Sequence, residues 1–159
     1  MAIPTTMVQV GRLAIHTARL MNTAYLQSIF EHTNEHIEAL DELSELLPQR
    51  SLTFHERNSA QRSIQVVVEA CIGLSKHTLK SAQKQVLGDA ASTALKALEL
   101  LPTSAITPAE LKGAIGMRNA IVHDYLNMDW ALLEAVLKQQ DYHKLKAFIQ
   151  AASTHLMLP

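Results

Sequence analysis

The chain has 159 residues, of which 48% are hydrophobic and 18% charged, with a formal net charge of −1. It carries 23 Leu and 21 Ala against seven aromatic residues, five Gly and five Pro. This composition excludes disorder, collagen, a disulfide scaffold and a β-sandwich, and it excludes a nucleic-acid binder that is basic throughout, leaving RNA only a local patch.

Residues 6 to 47 predict one long amphipathic helix. Ala18, Met21, Tyr25, Ile29, Ile37, Leu40, Leu43 and Leu47 recur at helical spacing apart from the step between Ile29 and Ile37, and Pro48 closes the run. Thr53 followed by Glu56 reads as a capping box opening a second helix to about residue 83, with Ala60, Ile64, Val67, Val68, Cys71, Leu74 and Leu79 on its apolar stripe. Two helices of this length predict an antiparallel hairpin at the centre of a bundle. Asp89 caps a third helix through Leu101, stopped by Pro102. Thr107-Pro108-Ala109-Glu110 is the strongest cap in the chain and opens a fourth helix to about Tyr125. Asn127 or Asp129 caps a fifth through Gln140, and Asp141 a sixth to about Leu156. The expected fold is an all-α bundle of five to six helices in one domain over 1–159, with tails at about 1–7 and 157–159.

Charge is uneven. Glu31 to Glu45 holds six acids and no Lys or Arg, whereas Ala70 to Gly88 holds Lys76, Lys80 and Lys84 and no acid. On a continuous helix those lysines form one stripe, either a solvated face or a contact for a phosphate backbone or an acidic partner. The low charge overall predicts that a partner covers part of the surface. Cys71 is the lone cysteine and is expected in the core. No apolar run reaches the length of a membrane span and the first ten residues lack signal-peptide character, so the expectation is a cytoplasmic protein without a membrane partner.

Several candidate sites compete. His32-Thr33-Asn34-Glu35-His36 matches the H-x-x-E-H zinc-peptidase pattern, but a third ligand is missing and such enzymes are usually much larger. A di-iron centre needs Glu-x-x-His pairs, and no Glu has His three residues on. No metal site and no cofactor are therefore expected. Cys71 sits among Val67 and Val68, where an apolar setting makes a thiol inert. The segment Met117 to Tyr125 is the richest: Arg118, Asn119, His123, Asp124 and Tyr125 crowd the end of an otherwise apolar helix. On a regular helix Arg118 and Tyr125 lie about 20° apart and His123 about 140° from Arg118. One straight helix cannot aim all three at one atom. Either the helix bends or ends near His123, or two chains share the site across a two-fold.

Arg118-x4-His123-x-Tyr125 resembles the R-x4-6-H-x-Y motif of HEPN-domain proteins, and Met117 to Tyr125 is similar to the HepT toxin family. Residues Gln61 to Ile72, with Lys76-His77 and Leu79-Lys80, resemble that family's second helix. The resemblance runs from about residue 10 to 150, weakest over the long first helix and from Thr33 to Asn58. It implies a homodimeric helical bundle that acts as a metal-independent endoribonuclease toxin on an RNA such as tRNA or mRNA. It also implies a nucleotidyltransferase antitoxin, MntA-like, that neutralises the toxin by AMPylation. Carried over by position, Arg118 and His123 are catalytic, Asn119 and Tyr125 supporting, and Tyr125 the AMP acceptor. Lys76, Lys80 and Lys84 are candidate RNA or partner contacts. A rival expectation is a non-catalytic helical partner or substrate-binding subunit of a nucleotidyltransferase, against which the complete Arg118, His123 and Tyr125 set speaks.

Overall fold

The computed structural model describes residues 5–101 and 105–158, without the side chains of residues 5, 6, 18–21 and 125. The described residues form six helices, α1 (Thr5–Leu46), α2 (Phe54–Ser81), α3 (Ala90–Leu98), α4 (Pro108–His123), α5 (Trp130–Gln139) and α6 (Tyr142–Met157), plus a 3-10 turn at Tyr125–Asn127, and no strand. No helix among them is long and apolar enough to cross a membrane.

Local chemistry sets these boundaries. Thr53 and Thr107 each accept a hydrogen bond from the amide three residues on, and Glu56 and Glu110 each accept one from the cap amide in return, so both capping boxes are complete. Asp89 and Asp129 cap α3 and α5 through their side chains. Asp141 does not cap α6 as expected. Its backbone is itself helical after left-handed Gln140, and its carboxylate lies 3.4 Å from Lys144 Nζ. α3 ends at Leu98, short of the expected Leu101, in a turn closed by Leu100 and Leu101 amides bonding back to Ala97 and Leu98. The expected stop at Pro102 lies outside the described residues.

α2 is the central helix, packing against α1, α3, α4 and α6. Its predicted stripe is the core: Ala60, Ile64, Val67, Val68, Cys71, Leu74 and Leu79 are buried, with Leu26, Ile37 and Leu40 of α1, Leu111 and Ile115 of α4, and Phe148 of α6 around them. Tyr25 meets His77 edge-on, and further along α1 His36 meets Ser63, earlier in α2. The two long helices are therefore antiparallel, as predicted. α6 also runs antiparallel to α1, with Tyr142 donating to Asp41 at 2.7 Å while Ser153 and Met157 lie beside Leu26. Both α2 and α6 thus run out before the N-terminal half of α1 does. Leu26 is the first buried residue described in α1, and Tyr25, expected on the apolar face, is 44% exposed, with His77 of α2 against its ring edge-on. Of the other residues expected there, the side chains of Ala18 and Met21 lie outside those described.

The Glu110 box also ties α4 to α6 through Lys144. The ammonium, followed by the Thr107 amide, holds the Glu110 carboxyl down at about 2, against an ordinary 4.5. A depressed acid stabilises the fold above its unfolded value, and that contribution disappears as pH falls through the folded one. Thermal melting should therefore fall between pH of about 4.5 and 2. Glu110→Gln should melt lower at neutral pH and show a flatter profile across that window. A profile parallel to that of the unsubstituted chain would refute the linkage.

Candidate functional site

α4 is pinned at its start by the Thr107 box, along one face by buried Leu111 and Ile115, and on another side by buried Met117. Arg118 follows on the side facing α2. One guanidinium nitrogen, Nη1, donates to Asn119 Oδ1 at 2.9 Å, and Nη2 lies 3.4 Å from Glu69 Oε1. Glu69 Oε1 in turn accepts from Gln65 Nε2 at 3.0 Å. The Arg118 side chain is 24% exposed, and its Nε is buried with no hydrogen-bond partner. The cation is thus drawn against the bundle by one carboxylate, with a donor left unsatisfied. Arginine suits such a place because it remains charged and can fork onto two oxygens.

The helix ends within the motif but after His123, so Arg118 and His123 stay about 140° apart on one helix and only the chain beyond them is redirected. His123 is the last residue of α4, and Asp124 leaves helical geometry at φ −133° and ψ 40°. Its amide still bonds back to Ala120, while its carboxylate accepts from Asn127 Nδ2 at 2.7 Å. The chain then enters the Tyr125–Asn127 turn rather than continuing in α4 to Tyr125. His123 and Asn119 are exposed, and Leu126 stands 82% exposed. The Tyr125 side chain lies outside those described. The structure therefore brings Arg118, Asn119 and His123 onto one short stretch, Arg118 held and His123 open to solvent.

The lysines divide. Lys76 and Lys80 are exposed on α2, on the helical face that carries Glu69, about 10 and 16 Å along the axis from it. Lys84 is not on that stripe, contrary to expectation. α2 ends at Ser81, Gln83 turns left-handed at φ 56°, and the Lys84 amide bonds back to Leu79 O. Lys84 stands in the connection to α3.

The remaining candidates take structural roles. His36 Nδ1 lies 2.9 Å from Ser63 Oγ, and burial, followed by the neighbouring His32, pushes its pKa down. No group of three or more His, Cys, Asp or Glu suited to a metal occurs among the described residues. Cys71 is fully buried, its Sγ 3.8 Å from Leu145 O, and burial drives the thiol far up, as expected of an inert core residue.

The family model described as ribonuclease HepT-like matches residues 33–152, three-quarters of the chain and the whole of the site. The chain belongs to the ribonuclease HepT-like family. Solved structures agree on the fold. A chain of a toxin–antitoxin crystal structure with AMP-PNP superposes with a TM-score of 0.64 at 20% identity, over 80% of this HepT-like chain and 96% of that one. The tri-AMPylated HEPN toxin of Shewanella oneidensis, in complex with MNT antitoxin, gives 0.67 at 21% identity, over 79% and 94%. No curated protein matches the sequence significantly. The HEPN-type helical bundle anticipated from the motif is thus shown.

One site residue of this HepT-like chain escapes sequence reasoning. Glu69, the partner of Arg118, was legible only as the single charge within the apolar run from Ile64 to Leu74. An acid alone inside such a run marks where the helix leaves the core, and there a cation can meet it. Which partner depends on how α4 lies on α2.

Proposed function

We propose that this chain is the RNA-cleaving toxin of a toxin–antitoxin pair, a single HEPN domain working as a metal-independent endoribonuclease. The observation that supports the reading is an exposed imidazole at the end of α4, on the same helix as an arginine clamped by Glu69, in a family described as ribonucleases. Cleavage without metal uses the RNA's own 2′-hydroxyl. A base removes its proton, the 2′ oxygen attacks the adjacent phosphorus, and the bond to the 5′ oxygen breaks as an acid protonates it. The products are a 2′,3′-cyclic phosphate and a 5′-hydroxyl. Imidazole suits either proton role near neutral pH. Arg118 neutralises the crowded phosphate, and Asn119 steadies the guanidinium through its 2.9 Å bond. A second imidazole for the opposite proton role comes from a second copy, so the site is composite across a homodimer cleft. The partner is a nucleotidyltransferase antitoxin of the MNT kind that accompanies the Shewanella oneidensis toxin, acting on Tyr125.

Purified chain incubated with RNA and a chelator tests this reading. Fragments should accumulate with cyclic-phosphate ends. Cleavage that needs an added divalent ion would refute the metal-independent route, and intact RNA under every condition would favour a non-catalytic partner of the nucleotidyltransferase.

Lys76 and Lys80, sharing the Glu69 face, extend the positive potential away from Arg118, with Lys84 beyond the helix end. Substituting all three with Gln should weaken RNA binding and flatten its salt dependence, the slope falling by about 0.7 for every phosphate that is no longer neutralised. Unchanged salt slopes for both RNA and antitoxin would remove these lysines from either surface.

A further inference from the structure

α2 turns one polar face to solvent. Arg62, Glu69, Lys76 and Lys80 fall within about 40° of one another around this continuous helix, and Arg62, Lys76 and Lys80 are exposed. Arg62 lies about 10 Å along the axis from Glu69 toward the start of α2, and Lys76 about 10 Å from it toward the end. The Glu69–Arg118 pair therefore stands between cations on both sides. No ion pair engages Arg62, Lys76 or Lys80 among the described residues. The acids of α1 do not offset them. His36 faces α2 through Ser63, and the six acids from Glu31 to Glu45 lie about 100° or more around α1 from it.

Past the Glu69–Arg118 pair, beside Lys76 and Lys80, the face opens into a recess of about 350 Å³ walled by Val86, Leu87 and Ala90. Asp89 also borders the recess, but its carboxylate is turned to the Ser92 amide, from which it accepts a hydrogen bond.

We infer that single-stranded RNA lies lengthwise along this face of α2, with Arg62 holding its backbone on one side of the cleaved phosphate and Lys76 and Lys80 holding it on the other. The inference rests on the proposed function for the phosphate placed at Arg118. A row of unpaired cations, interrupted only by a carboxylate that an arginine already neutralises, suits a polyanion rather than a single ion. From Arg62 to Lys80 the row spans about 27 Å, and a stacked strand carries a phosphate about every 3.4 Å. Arg62 and Lys76 thus meet phosphates about three removed from the one at Arg118, or fewer where the strand is stretched. The recess decides between one strand and two. It is apolar where the face of a base would lie and cationic where its phosphate would lie, and a base enters it only unpaired. The acidic side of α1 repels the backbone and keeps the strand on α2.

Fluorescence anisotropy of the full chain with 2′-O-methyl oligouridylates, roughly four to sixteen nucleotides long, tests the inference. The methyl group blocks the 2′ nucleophile, so binding is read without cleavage. Affinity should rise with length to about eight nucleotides, the stacked strand that spans the row, and then level off. Arg62→Gln should weaken binding of the longest oligonucleotide several-fold and lower its salt slope by about 0.7, and Arg62→Lys should keep both. Adding Lys76→Gln and Lys80→Gln should compound the loss, because the two ends hold the strand independently. Cleavage is followed separately on unmodified RNA, so a chain that binds in this way but does not cut would refute the nuclease and support the track. Unchanged affinity and salt slope in Arg62→Gln would overturn the inference. So would tighter binding of duplex than of single-stranded RNA, or a loss confined to the nucleotidyltransferase, which would give the face to that protein.

Discussion

Replacing His123 with alanine is expected to lower RNA cleavage by about 10²- to 10⁴-fold, the usual contribution of one positioned proton-transfer group. The side chain is exposed at the last residue of α4 and lies outside the buried core, so the variant should melt with the unsubstituted chain. In a composite cleft each dimer loses both imidazoles at once, which places the loss toward the upper end of that range. Mixing His123→Ala with Arg118→Ala chains sharpens the result. If each active site draws groups from two copies, mixed dimers rebuild one site from the two intact halves, and activity returns in part. Cleavage by His123→Ala at the unsubstituted rate, measured under single turnover, would take the imidazole out of the mechanism. Growth arrest on expression should vanish with the same substitution, in step with the rate.

The second large effect concerns Tyr125. Phenylalanine there removes the only atom to which AMP can be attached while keeping the ring, so intact mass after incubation with ATP and the nucleotidyltransferase should show no added AMP. The unsubstituted chain should gain one or more AMP units mapping to this residue. Under the proposed function, AMP on this residue would silence by two physical effects: added bulk at the site, and a phosphate that competes with the RNA backbone for Arg118. Tyr125→Phe should remain toxic beside the antitoxin. Complete neutralisation of Tyr125→Phe would show that binding suffices or that the acceptor is another residue.

Most of the bundle is legible in the sequence because its signals are local. The two Thr-x-x-Glu boxes, the apolar stripe of α2 and the cap at Asp129 each depend on a few neighbouring residues. Misjudged details depend on distant ones. Nothing local distinguishes Asp141 from a capping aspartate, since its fate is decided by the left-handed Gln140 before it and the Lys144 it faces. Lys84 keeps perfect helical spacing from Lys80, yet the helix ends between them. The motif itself lay between these extremes. Angular arithmetic on Arg118, His123 and Tyr125 required either a break near His123 or a shared site; the helix ends at His123, which redirects the chain toward Tyr125 but leaves Arg118 and His123 on one helix. The Glu69 clamp needed the packing of α4 on α2 and had no local signature beyond an isolated acid.

Cys71 has a practical consequence for watching the site at work. It is the sole thiol of the chain, it is sealed in the core, and burial keeps it protonated. To a thiol-directed dye or spin label the folded protein is in effect cysteine-free without any engineering. A single cysteine introduced at Leu126, beside the motif and 82% exposed, would therefore carry a probe on its own. In the proposed homodimer the two probes would report the separation of the two motifs as a distance.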